Sequence, residues 1–384
     1  MEKCFIVAYG RSAIGKAGRG TLAAANPVDF GAEVLKGVIG KVPELDANDI
    51  DDVIVGCAIP EGKMGLNPAR NIVIRAGLPD RVPGQTVNRF CSSGVQSVAT
   101  GASMIMSGMQ DIVIAGGVES MSCPVFSSEA EYLNPWLFEN TDAYVSMGIT
   151  AENVAEKYGI SREQMERMAV ESHEKASAAV ESGLFDKEII PVTGYDADQK
   201  PVVFMRDECY RKGTNMEALA NLKPSFKENG LVTAATSSQR SDGAGFVVLM
   251  SEKKVNDLGV KPVAKFVSFA VDGLDPALMG LGPVYAVKKV MSKTGRTIEE
   301  MDVIELNEAF ASQALVSMKQ LKMEKSKVNP RGGALALGHP LGATGAVLLA
   351  KSMNYLEYTG GRYGLVTMCI GGGMGAACII EMVN

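Results

Sequence analysis

The feature that most constrains the fold is a pattern of strands and helices that occurs twice in the chain. Three segments of the first half have similar partners in the second half, at offsets of 250, 249 and 252 residues. The pairs are DVIVGCAIPE from 52 and DVIELNEAF from 302, SGVQSVATGASMIM from 93 and GATGAVLLAKSMNY from 342, and DIVIAGG from 111 and YGLVTMCIGGG from 363. Near-equal offsets in a common order favour two copies of one α/β unit.

Within the first copy, apolar runs of strand length alternate with amphipathic or buried helical segments. The predicted strands are 4–9, 52–59 and 111–117, and the predicted helices are 29–42, 68–77 and 92–108. Short apolar strands that alternate with helices predict a parallel or mixed sheet with helices on both faces.

A segment of different character separates the two copies. From about 119 to 232 the chain is richer in charge and contains the only tryptophan, Trp136. Ser161 and Gln164 in this segment match a helix capping box. Because the segment has helical periodicity and no Gly/Ser-rich or Pro-rich run, it is predicted to be a folded insertion that offers a binding surface.

The net charge, the length of the apolar runs and the cysteine spacings argue against several classes of protein. A net charge of −6 and a pI near 5.3 give no reason to expect a nucleic-acid-binding protein. No apolar run has the length of a signal-peptide core or of a membrane span. The seven cysteines lack the short paired spacings of zinc or redox sites. We therefore expect a cytoplasmic protein with reduced thiols and no metal.

The stretch NRFCSSG, residues 88–94, places a cysteine where a strand through QTV ends and a helix begins. Cys91 would there face unpaired backbone N–H groups and the positive end of the helix dipole. Both effects predict a lowered thiol pKa and a nucleophilic thiolate. A buried structural cysteine at a strand–helix junction is an equal alternative on this fragment alone.

The second copy contains residues that can act with this thiol. His339 lies in a glycine-rich loop before a helix, the same place that Cys91 occupies in the first copy. The other histidine, His173, belongs to a charged helix and is interpreted as a solvated surface residue.

Polar and glycine residues also follow two strands of the second copy. Cys369 ends a strand and precedes a run of glycines, whose N–H groups can approach a reacting oxygen closely. Asn307 and Glu308 follow the strand DVIEL, an expected place for catalytic groups in α/β sheets.

Four blocks, VNRFCSSG, NEAFASQA, GGALALGHPLGATGA and CIGGGMGAA, occur in this order and together resemble the thiolases. The resemblance spans essentially the whole chain and implies a five-layered α/β/α/β/α fold of two similar halves with an inserted loop domain. It divides the chain into a first half (1–118), an inserted CoA-binding loop domain (119–232), a return to the first half (233–261) and a second half (262–384).

The resemblance also implies roles for individual residues. Cys91 matches the acyl-accepting nucleophile, and His339 matches the histidine that activates it. Cys369 matches the second cysteine, which moves a proton on and off the acetyl carbon. Asn307 matches the residue that holds a water in one oxyanion hole together with His339. Backbone N–H groups of Cys91 and Gly371 match the second oxyanion hole.

Coenzyme A is the implied small-molecule partner, as a substrate and not as a permanently bound cofactor. By resemblance, Arg211 lies near its nucleotide end, Ser238 near its pantetheine, and Met147 and Met279 around the thioester. An arginine can stack on an adenine and retains its charge beside a phosphate. The alternatives are an exposed loop cation for Arg211 and core packing for the two methionines.

The implied reaction is the thiolytic cleavage of 3-ketoacyl-CoA, as in fatty acid β-oxidation, which is reversible as a Claisen condensation. Ser146 stands where acetoacetyl-specific members often have histidine, and this favours a broader chain range. A biosynthetic enzyme specific for two acetyl-CoA molecules and a non-catalytic acyl-CoA-binding paralogue are the alternatives. The resemblance also implies a homodimer or a homotetramer.

Overall fold

The structure is a computed structural model, and it describes residues 2–123 and 133–383. The strands are Cys4–Arg11 (β1), Gly15–Lys16 (β2), Asp52–Gly56 (β3), Gly84–Val87 (β4), Ile112–Ser120 (β5), Val192–Tyr195 (β6), Pro201–Phe204 (β7), Ser241–Ser251 (β8), Ala264–Gly273 (β9), Val303–Leu306 (β10), Tyr363–Ile370 (β11) and Met374–Met382 (β12). The helices are Pro27–Ile39 (α1), Pro68–Ala76 (α2), Ser93–Met106 (α3), Pro135–Asn140 (α4), Met147–Tyr158 (α5), Arg162–Glu181 (α6), Met216–Ala220 (α7), Glu252–Leu258 (α8), Gly282–Thr294 (α9), Ala311–Gln320 (α10), Ala334–Leu337 (α11) and Leu341–Thr359 (α12).

Two similar half-sheets form the centre of the molecule. In the first half the strand order is β4, β3, β5, β8 and β1, with β3 parallel to β4 and β5 and the other neighbours antiparallel. In the second half the order is β10, β11, β12 and β9, with only β10 and β11 parallel. The half-sheets meet at β1 and β9, which share two residue pairs.

The predicted internal repeat is confirmed by this topology. Strands β3, β5, β8 and β1 of the first half correspond in order and direction to β10, β11, β12 and β9 of the second. In each half one long helix lies in the chain between the first two of these strands. Helix α3 lies between β3 and β5, and α12 lies between β10 and β11. The predicted alternation of strands and helices is likewise observed, with boundaries shifted by a few residues.

Helices cover the outer face of each half-sheet and fill the space between the two. One hydrophobic cluster joins α1 and α2 to β3, β5 and β8. A second cluster joins α9 and α10 to β10, β11 and β12. A third contains side chains of α3 and α12 together with strand residues from both half-sheets. The resulting order of helix, sheet, helix, sheet, helix confirms the predicted five layers.

Glycines bring the two central helices into backbone contact near their N-termini. A Cβ atom on Gly94 would lie 2.7 Å from the carbonyl oxygen of Gly342, and one on Gly345 would lie 2.2 Å from the amide nitrogen of Val95. Only glycine tolerates such close approach. The N-terminal ends of α3 and α12, and the residues just before them, are therefore brought together.

The segment between the copies is folded, as its periodicity predicts. The capping box of Ser161 and Gln164 is present at the start of α6. Helices α5 and α6 pack on α10 of the second half, although the segment lies between β5 and β8 of the first half in the chain. β5 continues to Ser120, two residues beyond the predicted boundary. Part of the predicted insertion, 124–132, lies outside the described residues, and the predicted domain boundaries remain predictions.

The length and the hydropathy of a helix determine whether it can cross a membrane. Within 2–123 and 133–383, no helix combines the length and apolar character that crossing a bilayer requires.

Candidate active site

Cys91 lies on a 3₁₀ turn, Phe90–Ser92, that leads from β4 directly into α3. Phe90 has a φ of 44°, in the left-handed region that costs a non-glycine residue roughly 1 kcal/mol or more. Asn88 Oδ1 accepts the Phe90 N–H at 2.8 Å, and Ser93 Oγ donates to the Phe90 carbonyl at 2.7 Å. These side chains hold the strained turn and thereby fix the direction of the neighbouring thiol.

The pKa of the Cys91 thiol is raised to about 11, mainly because surrounding protein atoms replace water and disfavour the anion. The N–H groups of Gly371 and of Cys91 itself act in the opposite direction, and the Glu119 carboxylate adds to the increase. The predicted lowering of this pKa by the helix terminus is therefore wrong for the free protein. Lost hydration of the sulfur outweighs the contribution of the amides.

Gly371 follows β11, and its backbone N–H lowers the pKa of the nearby Cys91 thiol. A Cβ atom on Gly371 would lie 3.6 Å from Met147 Sδ and 3.9 Å from the ring of Phe90. Met147, the first residue of α5, is therefore close to the candidate nucleophile. Two amides that point at one sulfur can also stabilise an oxyanion on a carbon bound to it.

Cys369 is the second thiol of the site. It is fully buried near the end of β11, two residues before Gly371. Burial raises the pKa of its thiol, and the negative charge of a Cys91 thiolate would raise it further. Cys369 is thus protonated at neutral pH and can supply a proton to a carbanion near Cys91.

His339 stands two residues before α12, as Cys91 stands two residues before α3. Its Nδ1 is 2.6 Å from Thr344 Oγ1, whose hydroxyl donates to the Pro340 carbonyl. Since that hydroxyl proton is already used, Nδ1 bears the imidazole hydrogen and Nε2 has the lone pair. Burial lowers the pKa of His339 to about 4, so the ring is neutral and able to accept a proton.

Asn307 is the partner of His339 at Nε2. Its Nδ2 lies 3.3 Å from that nitrogen, and its own backbone N–H donates to the Thr367 carbonyl of β11 at 2.9 Å. The Oδ1 atom of Asn307 is buried and has no hydrogen-bond partner among the described residues. A buried acceptor of this kind requires a donor, and a bound water fits the requirement.

The segment around Ser238 connects these loops. The Ser238 N–H donates to the Ala309 carbonyl at 2.9 Å, and the Gln239 carbonyl accepts the His339 N–H at 3.0 Å. Ser238 is half-buried between the loop after β10 and the loop before α12. It therefore lies close to the backbone of two candidate catalytic residues, Asn307 and His339.

A cleft of about 310 Å³ has Arg211, Lys212, Gln239 and Leu335 among its lining residues. His173 also lines it, with its Nδ1 accepting the Arg211 N–H at 3.0 Å. The predicted surface position of His173 is wrong, because α6 buries this ring against the 211–214 loop and only 5% of the residue is exposed. Burial lowers the pKa of His173 to about 4.

Met279 is located differently from Met147. It lies in the 3₁₀ segment Pro276–Leu281 and is almost fully buried in the hydrophobic cluster of the second half. This segment packs against α5, the helix that begins with Met147. Its predicted contact with a thioester would therefore be made from within the core.

The turn and strand ends that hold the candidate residues meet in one place. The Cys91 turn packs against both α12 and β11, so the structure brings Cys91, Cys369 and Gly371 together and places His339 and Asn307 at the same end of the sheets. Sequence reasoning missed Glu119, whose signal was a carboxylate at the end of the buried strand GGVES.

Comparison with known proteins gives full-length matches. The models of the thiolase N-terminal domain and the thiolase C-terminal domain match residues 4–253 and 260–382. A 3-ketoacyl-CoA thiolase of Bacillus subtilis is 46% identical over 100% of both chains. An acetyl-CoA acetyltransferase of Escherichia coli is 40% identical, also over 100% of both. The crystal structure of the Bacillus anthracis acetyl-CoA acetyltransferase superimposes with a TM-score of 0.93 at 38% identity, covering 100% of this chain and 99% of that one.

Proposed function

This chain belongs to the thiolase family, an acyltransferase family, and we propose that it transfers acyl groups between Cys91 and coenzyme A. The observation that supports this most directly is the packing of the Cys91 turn against β11, which contains Cys369, and against α12, which follows His339. His339 and Asn307 complete the proposed catalytic set.

In the proposed cleavage, the Cys91 sulfur attacks the 3-keto carbon of a 3-ketoacyl-CoA while its proton passes to Nε2 of His339. The amides of Cys91 and Gly371 stabilise the oxyanion on that carbon. When the carbonyl forms again, the bond between carbons 2 and 3 breaks, and its electron pair becomes the enolate of acetyl-CoA. The acyl group remains on Cys91 as a thioester.

The enolate is then stabilised and protonated. The His339 imidazolium and a water held by Asn307 donate hydrogen bonds to its oxygen, and Cys369 gives a proton to carbon 2. The proton that His339 received restores the Cys369 thiol. Free coenzyme A then attacks the acyl-Cys91 thioester, and its thiol proton passes through His339 to the departing Cys91 sulfur.

We propose that coenzyme A binds in this cleft and extends from it to the catalytic residues. Arg211 and Lys212 supply positive charge for its phosphates, Gln239 and Leu335 lead toward the loop that contains His339, and Ser238 adjoins Gln239. We assign the nucleotide to the Arg211 end, the pantetheine to Ser238, and the thioester surroundings to Met147 and Met279. Coenzyme A acts as a substrate in this scheme, and no permanently bound cofactor is invoked.

We propose a range of 3-ketoacyl chain lengths that includes acetoacetyl-CoA. Ser146, the residue before Met147 at the start of α5, is small, and its side chain makes no capping hydrogen bond. The relative at 46% identity is named a 3-ketoacyl-CoA thiolase, which agrees with degradation of fatty acids. The names of the Escherichia coli and Bacillus anthracis relatives favour the second candidate, an enzyme specific for two acetyl-CoA molecules.

A thiolysis assay with short, medium and long 3-ketoacyl-CoA substrates separates these candidates. We expect cleavage across the series together with acylation of the Cys91 peptide, identified by its mass. Activity confined to acetoacetyl-CoA would establish the second candidate. Binding of acyl-CoA without cleavage or acylation would instead identify a non-catalytic paralogue.

The Cys369→Ala variant is expected to accept an acyl group on Cys91 but to lose exchange of the acetyl-CoA methyl protons with solvent by roughly two to four orders of magnitude. The reason is that the proposed acid and base for carbon 2 is removed while the nucleophile remains. Exchange in deuterated buffer measures the effect. Cys378→Ala is the matched control, because Cys378 is an equally buried thiol on β12. Normal exchange in Cys369→Ala would refute the role of this thiol.

The Arg211→Ala variant is expected to raise the KM for coenzyme A roughly tenfold with little change in kcat, because a charge-assisted phosphate contact is lost. With 3′-dephospho-CoA the difference between variant and wild type is expected to disappear. Lys200→Ala, at an exposed cation paired with Asp198, is the control. Equal KM values for Arg211→Ala and wild type would show that Arg211 is only a surface cation.

We further propose that two copies of this chain associate through the first half-sheet. Strand β4 is the last strand on that side, and Leu66 and Ile74 near it are 73% and 58% exposed. An edge strand beside exposed apolar side chains is suited to cover by a second copy. A homotetramer is the alternative, and sedimentation at working concentration decides between the two. The cytoplasmic location remains a prediction from cysteine usage.

A further inference from the structure

Glu119 is a fully buried carboxylate near the end of β5, and it contacts both halves of the molecule. Oε2 accepts the N–H of Ala58 at 2.8 Å and the N–H of Gly342 at 2.7 Å. Oε1 accepts the N–H of Ile59 at 3.2 Å. Ala58 and Ile59 follow β3 of the first half, whereas Gly342 belongs to the first turn of α12 in the second half.

The residues that Glu119 binds are directly connected to the proposed catalytic residues. The Ala58 carbonyl accepts the Asn88 side chain at 2.9 Å, and Asn88 in turn holds the strained turn beside Cys91. On the other side, Gly342 lies three residues after His339. The Glu119 carboxylate thus accepts hydrogen bonds from the loop that binds Asn88, near Cys91, and from helix α12, which follows His339.

The electrostatic position of Glu119 is equally specific. The Cys57 thiol, on the loop after β3, lies 3.6 Å from Oε1, and the charge of Glu119 also raises the pKa of Cys91 on the turn before α3. From α12 it receives the backbone N–H of Gly342, and Cys369 faces the Cys91 thiol from β11. The Glu119 carboxylate therefore acts on backbone N–H groups of both halves and, through its charge, on the Cys91 sulfur.

Within the proposed function, we infer that Glu119 is a positioning residue that aligns Cys91 with His339 across the two halves, and that its charge adds to the effect of burial in keeping the Cys91 proton on sulfur in the free enzyme. Burial raises the pKa of Glu119 to about 6. The carboxylate is therefore ionised above that pH, throughout the range in which Cys91 titrates.

The test is the pH dependence of Cys91 alkylation by iodoacetamide, followed by peptide mass, in wild type and Glu119→Gln. Removing the charge is expected to shift the profile toward lower pH by about half a unit to one unit. The amide also replaces one acceptor oxygen by a donor, so kcat for thiolysis is expected to fall roughly tenfold or more with KM little changed. An unchanged alkylation profile together with an unchanged kcat would overturn the inference.

Glu152→Gln is the matched control. Glu152 is also buried and accepts two backbone N–H groups, those of Leu231 and Val232, each at 2.9 Å, but the carboxylate whose charge raises the Cys91 pKa is that of Glu119. Its alkylation profile is expected to coincide with that of wild type. A shift equal to that of Glu119→Gln would show that the effect reflects general loosening and would overturn the inference.

Glu119→Asp covers the case in which Glu119→Gln does not fold. The aspartate retains the charge but is shorter by one methylene, so the alkylation profile is expected to stay near that of wild type while kcat falls. A wild-type kcat in Glu119→Asp would overturn the positioning role. Alkylation requires no substrate. If wild-type protein is alkylated at Cys91 but is never acylated by substrate, the proposed function is refuted, whereas the inference about Glu119 is still tested by the alkylation profiles.

Discussion

The Cys91→Ser variant is expected to lose thiolysis by a factor on the order of 10⁴ or more, because an alcohol is a far weaker nucleophile than a thiol at this position. Serine retains the size and the hydrogen-bonding ability of the side chain, so the strained turn at Phe90 is expected to persist. The measurements are the rate of acetoacetyl-CoA cleavage and the mass of the peptide that contains residue 91 after incubation with substrate.

The control for this prediction is Cys123→Ser. Cys123 is also a free, partly exposed cysteine, and it contacts Ser120 rather than the proposed site. It is expected to retain wild-type cleavage. If Cys91→Ser kept more than a tenth of the wild-type rate, or if the acyl group were found on another cysteine, residue 91 would not be the nucleophile.

The His339→Ala variant is expected to lower kcat by roughly 10³- to 10⁴-fold, since one substitution removes both the proton acceptor for Cys91 and a donor to the enolate oxygen. The Thr344→Val variant tests orientation separately. It retains the ring but removes the oxygen that holds Nδ1 at 2.6 Å, and a loss of about tenfold is expected. Equal losses in the two variants would contradict a chemical role for the imidazole.

The pKa values of the two groups give a linked expectation for the free wild-type enzyme. His339 titrates at about 4 and Cys91 at about 11, so between these values the pair is a neutral imidazole and a neutral thiol. The rate of iodoacetamide alkylation is therefore expected to be low at neutral pH and to rise with pH toward 11. Rapid alkylation at neutral pH would indicate a preformed thiolate–imidazolium pair and would contradict this description.

Several parts of the fold were predictable because they depend on local patterns. The capping box at Ser161, the proline at the start of α2 and the strand at Cys4 follow from side chains within a few residues of each other. The two-copy architecture was also predictable, since similar segments recur in the same order at nearly equal offsets. The burial of His173 was not, because the surface that covers it comes from a loop more than thirty residues away in the chain.

The residues of the candidate site likewise include some that the sequence predicts and some that it does not. Cys91, His339, Cys369 and Asn307 could be nominated from their places at strand ends and helix starts, and the motifs that resemble thiolases joined them into one hypothesis. The direction in which the Cys91 pKa is shifted could not be predicted correctly. A helix terminus can be recognised in the sequence, whereas the loss of water around a sulfur cannot. Glu119 was overlooked for a related reason, since its partners Ala58 and Gly342 are distant along the chain.

By itself the sequence determined which residue types stand at the ends of the strands, the repetition of one α/β unit and the family to which the chain belongs. The tertiary structure alone decided which of those residues meet, how much water each retains and which buried carboxylate joins the halves. The physical reason is that hydrogen-bond propensity and hydrophobic period act over a few residues. Dehydration and charge–charge interaction depend on everything within several ångströms, whatever its distance in sequence.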